Sequence, residues 1–130
     1  MTSITNKFTE NQLKWLELLE NGGILQGTGF LKYGQAYCCL GVACEFVVGV
    51  EPVRKFEDDE IYKFGEMTEY APQDVKNALN LWSCDGAPGG DEGVIMSLAE
   101  MNDEGYSFKE ISARIREYPW AYLTNFEKPK

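Results

Sequence analysis

The sequence predicts a small α+β domain with about five helices and one or two short antiparallel β-hairpins. Three observations support this fold class. The 130 residues match the length of one domain, and their 44% hydrophobic and 13% aromatic content is enough to build a core. Apolar residues recur at helical spacing in several segments. Two further segments place β-prone residues on both sides of a turn, as hairpins do.

We therefore expect a single domain over residues 1–130, with loosely ordered tails at 1–8 and 124–130. Local patterns rather than long-range pairing dominate the chain, which predicts a compact monomer or homodimer. The apolar, glycine-containing run in the first half should lie inside the protein. Four of its residues are expected in the core: Leu40, Val42, Cys44 and Phe46.

The first half of the chain predicts a helix, a hairpin and a second, buried helix. Thr9 and the polar residues after it form a cap pattern, so we expect a helix over residues 10–21 that ends at Gly22-Gly23. Its apolar face consists of leucines at helical spacing: Leu13, Leu16 and Leu19. A turn at Tyr33-Gly34 predicts a short hairpin. The run Cys38–Val48 predicts a buried helix, with a strand as the alternative because valines cluster at its end.

The second half predicts another hairpin and three helices. The acidic pair Asp58-Asp59 separates two β-prone runs and predicts the hairpin turn. Three helices are expected, over Pro72–Trp82, Val94–Met101 and Ser107–Tyr118. Pro72 fits the first position of a helix, and a capping-box pattern at Ser107 opens the last one. Pro119 is expected to end the last of them. The glycine- and proline-rich segment Ser83–Gly93 is predicted to be a mobile loop.

The formal net charge of −9 limits the classes of partner. An acidic field repels nucleic-acid phosphates and anionic membrane surfaces, so we expect neither direct nucleic-acid binding nor membrane binding. A basic protein partner is favoured, and the alternative is that the charge only keeps the protein soluble. The first seven residues lack the apolar core of a signal peptide, and no apolar run is long enough to span a bilayer. These features predict a cytoplasmic protein.

The four cysteines allow two chemical hypotheses. Cys39 follows a predicted hairpin and begins a predicted helix, a position that lowers the pKa of a thiol and favours a nucleophile. The chain contains no histidine to act as its base, so we favour the interpretation that Cys38, Cys39 and Cys44 are small core residues. Their spacing lacks paired zinc knuckles, and we predict neither a metal nor a cofactor.

Three sequence segments together resemble a group of small proteins common in phage and prophage genomes. The segments are Gln26-Gly27-Thr28-Gly29-Phe30-Leu31, Tyr37-Cys38-Cys39-Leu40-Gly41-Val42-Ala43-Cys44 and Leu98-Ala99-Glu100-Met101-Asn102-Asp103-Glu104-Gly105-Tyr106-Ser107-Phe108. The resemblance covers most of residues 10–117. It implies an accessory phage gene product that acts inside a bacterium, and it implies no particular reaction or catalytic residue.

These observations predict a phage-encoded stoichiometric binder that inhibits a bacterial host component, either a defence protein or its nucleotide signal. A basic host protein would be attracted by the acidic region 51–70 and by Asp91-Glu92. A nucleotide signal would need cations and aromatic rings, and the candidates are Lys32, Tyr33, Arg54, Lys55 and Trp82. The alternative is a small enzyme with a site built from Cys39 or from the loop carboxylates Asp85, Asp91 and Glu92.

Overall fold

The fold contains helices and one antiparallel sheet, so the predicted α+β class is confirmed. The computed structural model describes residues 4–55, 58–91, 93–94 and 96–129, without the side chains of Lys55, Asp58 and Asp59. The α-helices in these residues are α1 Glu10–Asn21, α2 Cys39–Val42, α3 Gln73–Leu79, α4 Leu98–Asp103, α5 Phe108–Glu117 and α6 Pro119–Tyr122. A π-helical segment, Ala43–Val48, continues α2 directly. The strands are β1 Lys32–Tyr33, β2 Ala36–Tyr37, β3 Val53–Lys55 and β4 Asp58–Lys63.

Both predicted hairpins are present, and they join into one sheet. The turn predicted at Asp58-Asp59 is wrong, because both residues belong to β4 and Asp58 pairs with Lys55 of β3. The strand order is β2-β1-β4-β3, with antiparallel neighbours throughout. Tyr33 in β1 lies opposite Ile61 in β4, and this pairing connects the hairpins. The sequence did not predict the connection, because the partner residues are 28 positions apart and no local turn brings them together.

Three helices begin with a reciprocal capping box, in which the cap hydroxyl accepts a backbone N–H and a side chain three residues later accepts the cap N–H. The pairs are Thr9 with Gln12, Ser97 with Glu100 and Ser107 with Glu110. The caps predicted at Thr9 and Ser107 are confirmed. The box at Ser97 shows why the helix predicted over Val94–Met101 instead spans Leu98–Asp103.

Two other helix boundaries differ from the prediction. The helix expected over Pro72–Trp82 ends at Leu79, because Asn80 takes a left-handed conformation with φ of 56°. The next residue, Leu81, forms a β-bridge with Leu123 instead. Pro119 does follow the last residues of α5, but it also opens α6, where proline is tolerated at the first position.

The run Cys38–Val48 is helical as predicted, and the strand alternative is wrong. Its second half is π-helical, with a backbone bond from Gly49 N to the Cys44 carbonyl oxygen five residues earlier. The wider turn changes which side chains face inward. Leu40, Val42 and Cys44 are fully buried as expected, whereas Phe46 is 36% exposed and does not belong to the core.

The core lies between α1, α2, α4, α5 and the first part of the sheet. Trp15 is completely buried, and its indole N–H donates to the Cys39 carbonyl at 2.9 Å. The predicted inner face of α1 is wrong at one position, since Leu13 is 46% exposed and Gln12 is buried. Gln12 points inward because its amide N–H groups bond to the Leu79 carbonyl and to Asn125 Oδ1, both at 2.8 Å.

The two chain ends contact each other and the core, which the sequence did not predict. Asn125 is 2% exposed, and its amide donates to the Lys7 carbonyl at 2.7 Å. The backbone N–H groups of Thr5 and Asn6 donate to the Asn125 carbonyl. Phe8 and Phe126 pack with their ring centroids 4.9 Å apart. The described parts of both tails are therefore held by specific contacts.

The segment Ser83–Gly93, predicted to be mobile, is anchored to α6 at its centre. The N–H groups of Gly89 and Gly90 both donate to the Ala121 carbonyl. A side chain at Gly90 would overlap the Trp120 carbonyl, so only glycine allows the two backbones to approach this closely. Among the described residues, every helix is too short or too polar to cross a bilayer.

Candidate functional site

The three motif segments converge on one buried asparagine. Asn102 Oδ1 accepts hydrogen bonds from Cys39 N at 3.0 Å and from Gln26 Nε2 at 3.1 Å, and Asn102 Nδ2 donates to the Gly27 carbonyl at 2.6 Å. Gln26 extends this arrangement, because its Oε1 accepts the Phe108 N–H at 3.0 Å. We call these hydrogen bonds the Asn102 network. It shows that the motif polar residues hold the fold together.

A glycine in the second motif serves the same structural purpose. Gly41 lies so close to β1 that an added Cβ would overlap the Leu31 carbonyl oxygen. Cys38 N donates to this same oxygen at 3.1 Å, so α2 and the preceding residues are fastened to the strand entry. The requirement for glycine here comes from backbone contact.

The thiols of Cys38, Cys39 and Cys44, called the buried thiols below, lie inside the protein at 5%, 0% and 0% exposure. Burial raises the pKa of Cys38 to about 11, and it raises the pKa of Cys39 and Cys44 well above the ordinary thiol range. Cys39 Sγ donates to the Leu98 carbonyl at 3.7 Å. Because the thiolate is the reactive form, this environment opposes the nucleophile that the Cys39 hypothesis requires.

Two of the predicted nucleotide-binding cations are already engaged by the sheet itself. Lys32 Nζ lies 4.4 Å from the Tyr62 ring centroid, 5.0 Å from the Tyr37 ring centroid and 3.7 Å from Glu45 Oε1. Its side chain is only 12% exposed. Arg54 Nε donates to Tyr62 Oη at 3.3 Å. These cations alternate with aromatic rings across the sheet and stabilise it.

The remaining predicted site residues lie in different surroundings. Tyr33 is 44% exposed and stacks on Phe30 with ring centroids 5.8 Å apart. Trp82 is 42% exposed, and its indole N–H donates to the Trp120 carbonyl at 3.4 Å. The Lys55 side chain and Glu92 lie outside the described residues. The predicted residues therefore belong to a sheet group and a loop group, each with its own neighbours.

Asp91 anchors the loop group. Its carboxylate accepts the Trp120 indole N–H at 2.9 Å, and Lys128 Nζ lies 3.2 Å from its second oxygen. The hydrogen bond from Trp120, followed by those from Gly93 N and Lys128, lowers the pKa of Asp91 to about 2. Asp91 is thus already neutralised by a neighbouring cation, which makes it a poor attractor for a basic partner.

An open groove lies elsewhere, beside α4. It has a volume of about 380 Å³ and is lined by four carboxylate residues and one aromatic side chain. Its main lining residues are Asp85, Glu100, Asp103, Glu104, Tyr70 and Ala99. A narrow recess of about 40 Å³ shares three of these residues and adds Phe30, Glu69 and Cys38. We call the groove and its recess the acidic groove.

Hydrogen bonds hold three of these carboxylates in place through one oxygen each. Asp85 Oδ1 accepts the Ala87 N–H at 3.1 Å and the Ser83 hydroxyl. Asp103 Oδ1 accepts the Gly29 N–H at 2.8 Å, and Glu100 Oε1 accepts the Ser97 N–H in the capping box. Among the described residues, nothing bonds to their second oxygens. The ion pairs seen in this part of the chain all lie away from the groove.

Sequence reasoning missed most of this groove. Asp85 was predicted as part of a loop of candidate catalytic carboxylates, and no site was predicted at Asp103 or Glu104. Tyr70, which is 43% exposed, received no role. The available signal was the absence of any basic residue between Glu100 and Glu104, but the linear sequence does not show that Tyr70 and Asp85 lie opposite these acids.

A family model, described as "Domain of unknown function (DUF8296)", matches residues 9–119. The chain belongs to this family. The DUF8296 match includes the three motif segments, the Asn102 network and the residues of the acidic groove. Neither the curated proteins nor the solved structures include a match to the chain.

Proposed function

We propose that this protein is a phage-encoded accessory protein that binds and inhibits a protein of the bacterial host, as a counter-defence factor in the host cytoplasm. The observation that carries the proposal is the acidic groove, an open concavity whose carboxylates have no basic partner within the described residues. It lies on a chain of net charge −9. Charge of one sign concentrated in a concave surface attracts and orients a partner of the opposite sign.

A binding role explains the chemistry better than an enzymatic role. The chain has no histidine, and its buried thiols are held in the unreactive form. The groove carboxylates are mostly exposed side chains, and three of them are oriented by hydrogen bonds from backbone N–H groups. We therefore propose one-to-one binding without turnover.

The charge also favours a protein target over a nucleotide signal. The carboxylates of the groove repel phosphate, and Lys32 is enclosed by two tyrosine rings and Glu45. A nucleotide would have to displace these contacts to reach the Lys32 ammonium group. The proposal therefore assigns recognition to the face that carries α4.

The test is capture of a partner from bacterial host lysate with affinity-tagged protein at about 50 mM and 300 mM salt. We expect one predominant protein with an excess of Lys and Arg on its binding surface, recovered in equimolar amount at low salt and lost at high salt. Purified partner should then lose its own activity at a one-to-one ratio. Recovery of no equimolar partner from several candidate hosts, or consumption of a substrate by catalytic amounts of the chain, would contradict the proposal.

A further inference from the structure

We propose that the acidic groove receives an arginine-bearing segment of the partner protein, with a guanidinium group seated between Tyr70 and the α4 carboxylates. This inference rests on the proposed binding function and names the chemistry that the site recognises. It draws on three features of the groove: the unused carboxylate oxygens, the exposed aromatic wall and the narrow recess.

Three of the groove carboxylates are already oriented in the unbound protein, so the site is preorganised for a cation. Asp85, Asp103 and Glu100 each accept a hydrogen bond from a backbone N–H group through one carboxylate oxygen. The bonds limit rotation of the side chains, so less conformational entropy is lost when the other oxygen accepts a hydrogen bond. The Glu104 side chain has no hydrogen bond among the described residues, and it adds a fourth negative charge at the end of α4.

The spacing of these acids favours an extended cationic group over a single metal ion. Within the described residues, no three carboxylates or thiolates come close enough together to hold one ion. Carboxylates distributed along a groove instead match a chain that carries several separated positive groups. A basic peptide segment meets this requirement.

The aromatic residues favour arginine over lysine. Tyr70 is 43% exposed and lines both the open groove and the recess, and Phe30, which stacks with Tyr33, also lines the recess. A guanidinium plane stacks on an aromatic face while its N–H groups form paired bonds with a carboxylate. An ammonium group cannot make both contacts with the same geometry. The recess of about 40 Å³ accepts a slender side chain and is too small for a nucleobase.

The experiment uses three synthetic peptides of identical length. The first carries three arginines, the second three lysines and the third three citrullines, in each case separated by Gly-Ser. Binding to the full, isotope-labelled chain is followed by amide chemical shifts in low salt. We expect the arginine peptide to shift the amides of Gly29, Ala99 and Asp103 in a saturable manner. The lysine peptide should bind about threefold to tenfold more weakly, and the citrulline peptide should not bind.

Two variants and a matched control localise the interaction. Glu104→Lys should weaken the arginine peptide about tenfold, and Tyr70→Ala should remove most of the preference for arginine over lysine. Glu51→Lys makes the same change of charge at an exposed position outside the groove and should alter affinity less than about twofold. The amide spectra of all three variants must retain the chemical-shift dispersion of the native protein. We expect this because all three substituted residues are exposed.

Several outcomes would overturn the inference. One is an equal loss of affinity in Glu104→Lys and Glu51→Lys, which would indicate attraction to net charge only. A second is equal binding of the arginine and lysine peptides. A third is that a host protein captured by the wild-type chain binds Glu104→Lys unchanged, which would refute the groove while leaving the binding function intact. Failure to capture any host protein, with groove-specific arginine binding intact, would instead refute the function.

Discussion

The Asn102 network makes a quantitative prediction for the substitution Asn102→Ala. Asn102 is fully buried and makes three side-chain hydrogen bonds, to Cys39 N, Gln26 Nε2 and the Gly27 carbonyl. At about 1 kcal/mol each, their loss lowers the free energy of unfolding by about 3 kcal/mol. The partner groups left without hydrogen bonds in the interior raise the expected loss to about 3–5 kcal/mol, a large fraction of the roughly 5–15 kcal/mol stability of a small domain.

Urea unfolding followed by tryptophan fluorescence measures this change, since Trp15 lies in the core and bonds to the Cys39 carbonyl next to the network. The urea concentration at the unfolding midpoint should fall, while the slope of the free energy of unfolding against urea concentration stays the same. Asn77→Ala is the matched control, because Asn77 is exposed and its side chain has a single hydrogen bond within the described residues, from Gln73. This substitution should change stability by less than about 0.5 kcal/mol. A loss below about 1 kcal/mol for Asn102→Ala would refute the structural role assigned to the motifs.

Three further predictions concern the backbone, an ion pair and the thiols. Gly41→Ala should lower the free energy of unfolding by at least about 2 kcal/mol in the same assay, because the new methyl group overlaps the Leu31 carbonyl; a neutral result would contradict the close approach. The hydrogen bond from Arg116 lowers the pKa of Glu20, so this group stabilises the fold above its unfolded pKa near 4.5 and the contribution is lost as the pH falls through the lower folded value. Glu20→Gln should therefore show a smaller decrease in thermal midpoint between pH 5 and pH 3 than the wild type, and equal decreases would refute the pairing. Finally, a thiol reagent should modify Cys84 in the native chain and all four cysteines in urea; rapid native modification of the buried thiols would contradict their placement.

Local signals were sufficient wherever an element starts or ends at a cap or turn residue. Thr9 and Ser107 predicted the starts of α1 and α5, and both have the expected capping box. Tyr33-Gly34 predicted the first hairpin turn, where Gly34 has a φ of 60°. Such residues act through bonds to neighbours within four positions, so their effect can be inferred from the sequence.

Errors arose where distant residues decide the outcome. Gln12 replaces Leu13 on the inner face of α1 because Asn125, 113 positions away, supplies a buried hydrogen-bond partner. Phe46 turns outward because the helix widens into π geometry. The helix predicted to reach Trp82 ends at Asn80, and the residue after it pairs with Leu123. Helical periodicity carries no information about these partners.

The candidate site shows the same division. The core position predicted for Cys38, Cys39 and Cys44 is confirmed, since small apolar residues in an apolar run are normally interior. Recognition was predicted at residues that include Lys32, Arg54 and Asp91, and each of these three has a partner within the fold. Whether a charged side chain is free for a ligand depends on its spatial neighbours, which no motif spacing reveals.

The amino-acid sequence alone determined the α+β class, the capped helices, the two hairpins and the overall acidity. Propensities and caps act between near neighbours in the chain, and the net charge is the sum over all residues, so both can be obtained without a structure. Tertiary structure alone decided that the motif residues form the Asn102 network and that Tyr70 and Asp85 face the acids of α4. The physical reason is that a binding surface is an arrangement of groups from separate segments. Its charge becomes available to a partner only where the fold leaves that charge without an internal counterpart.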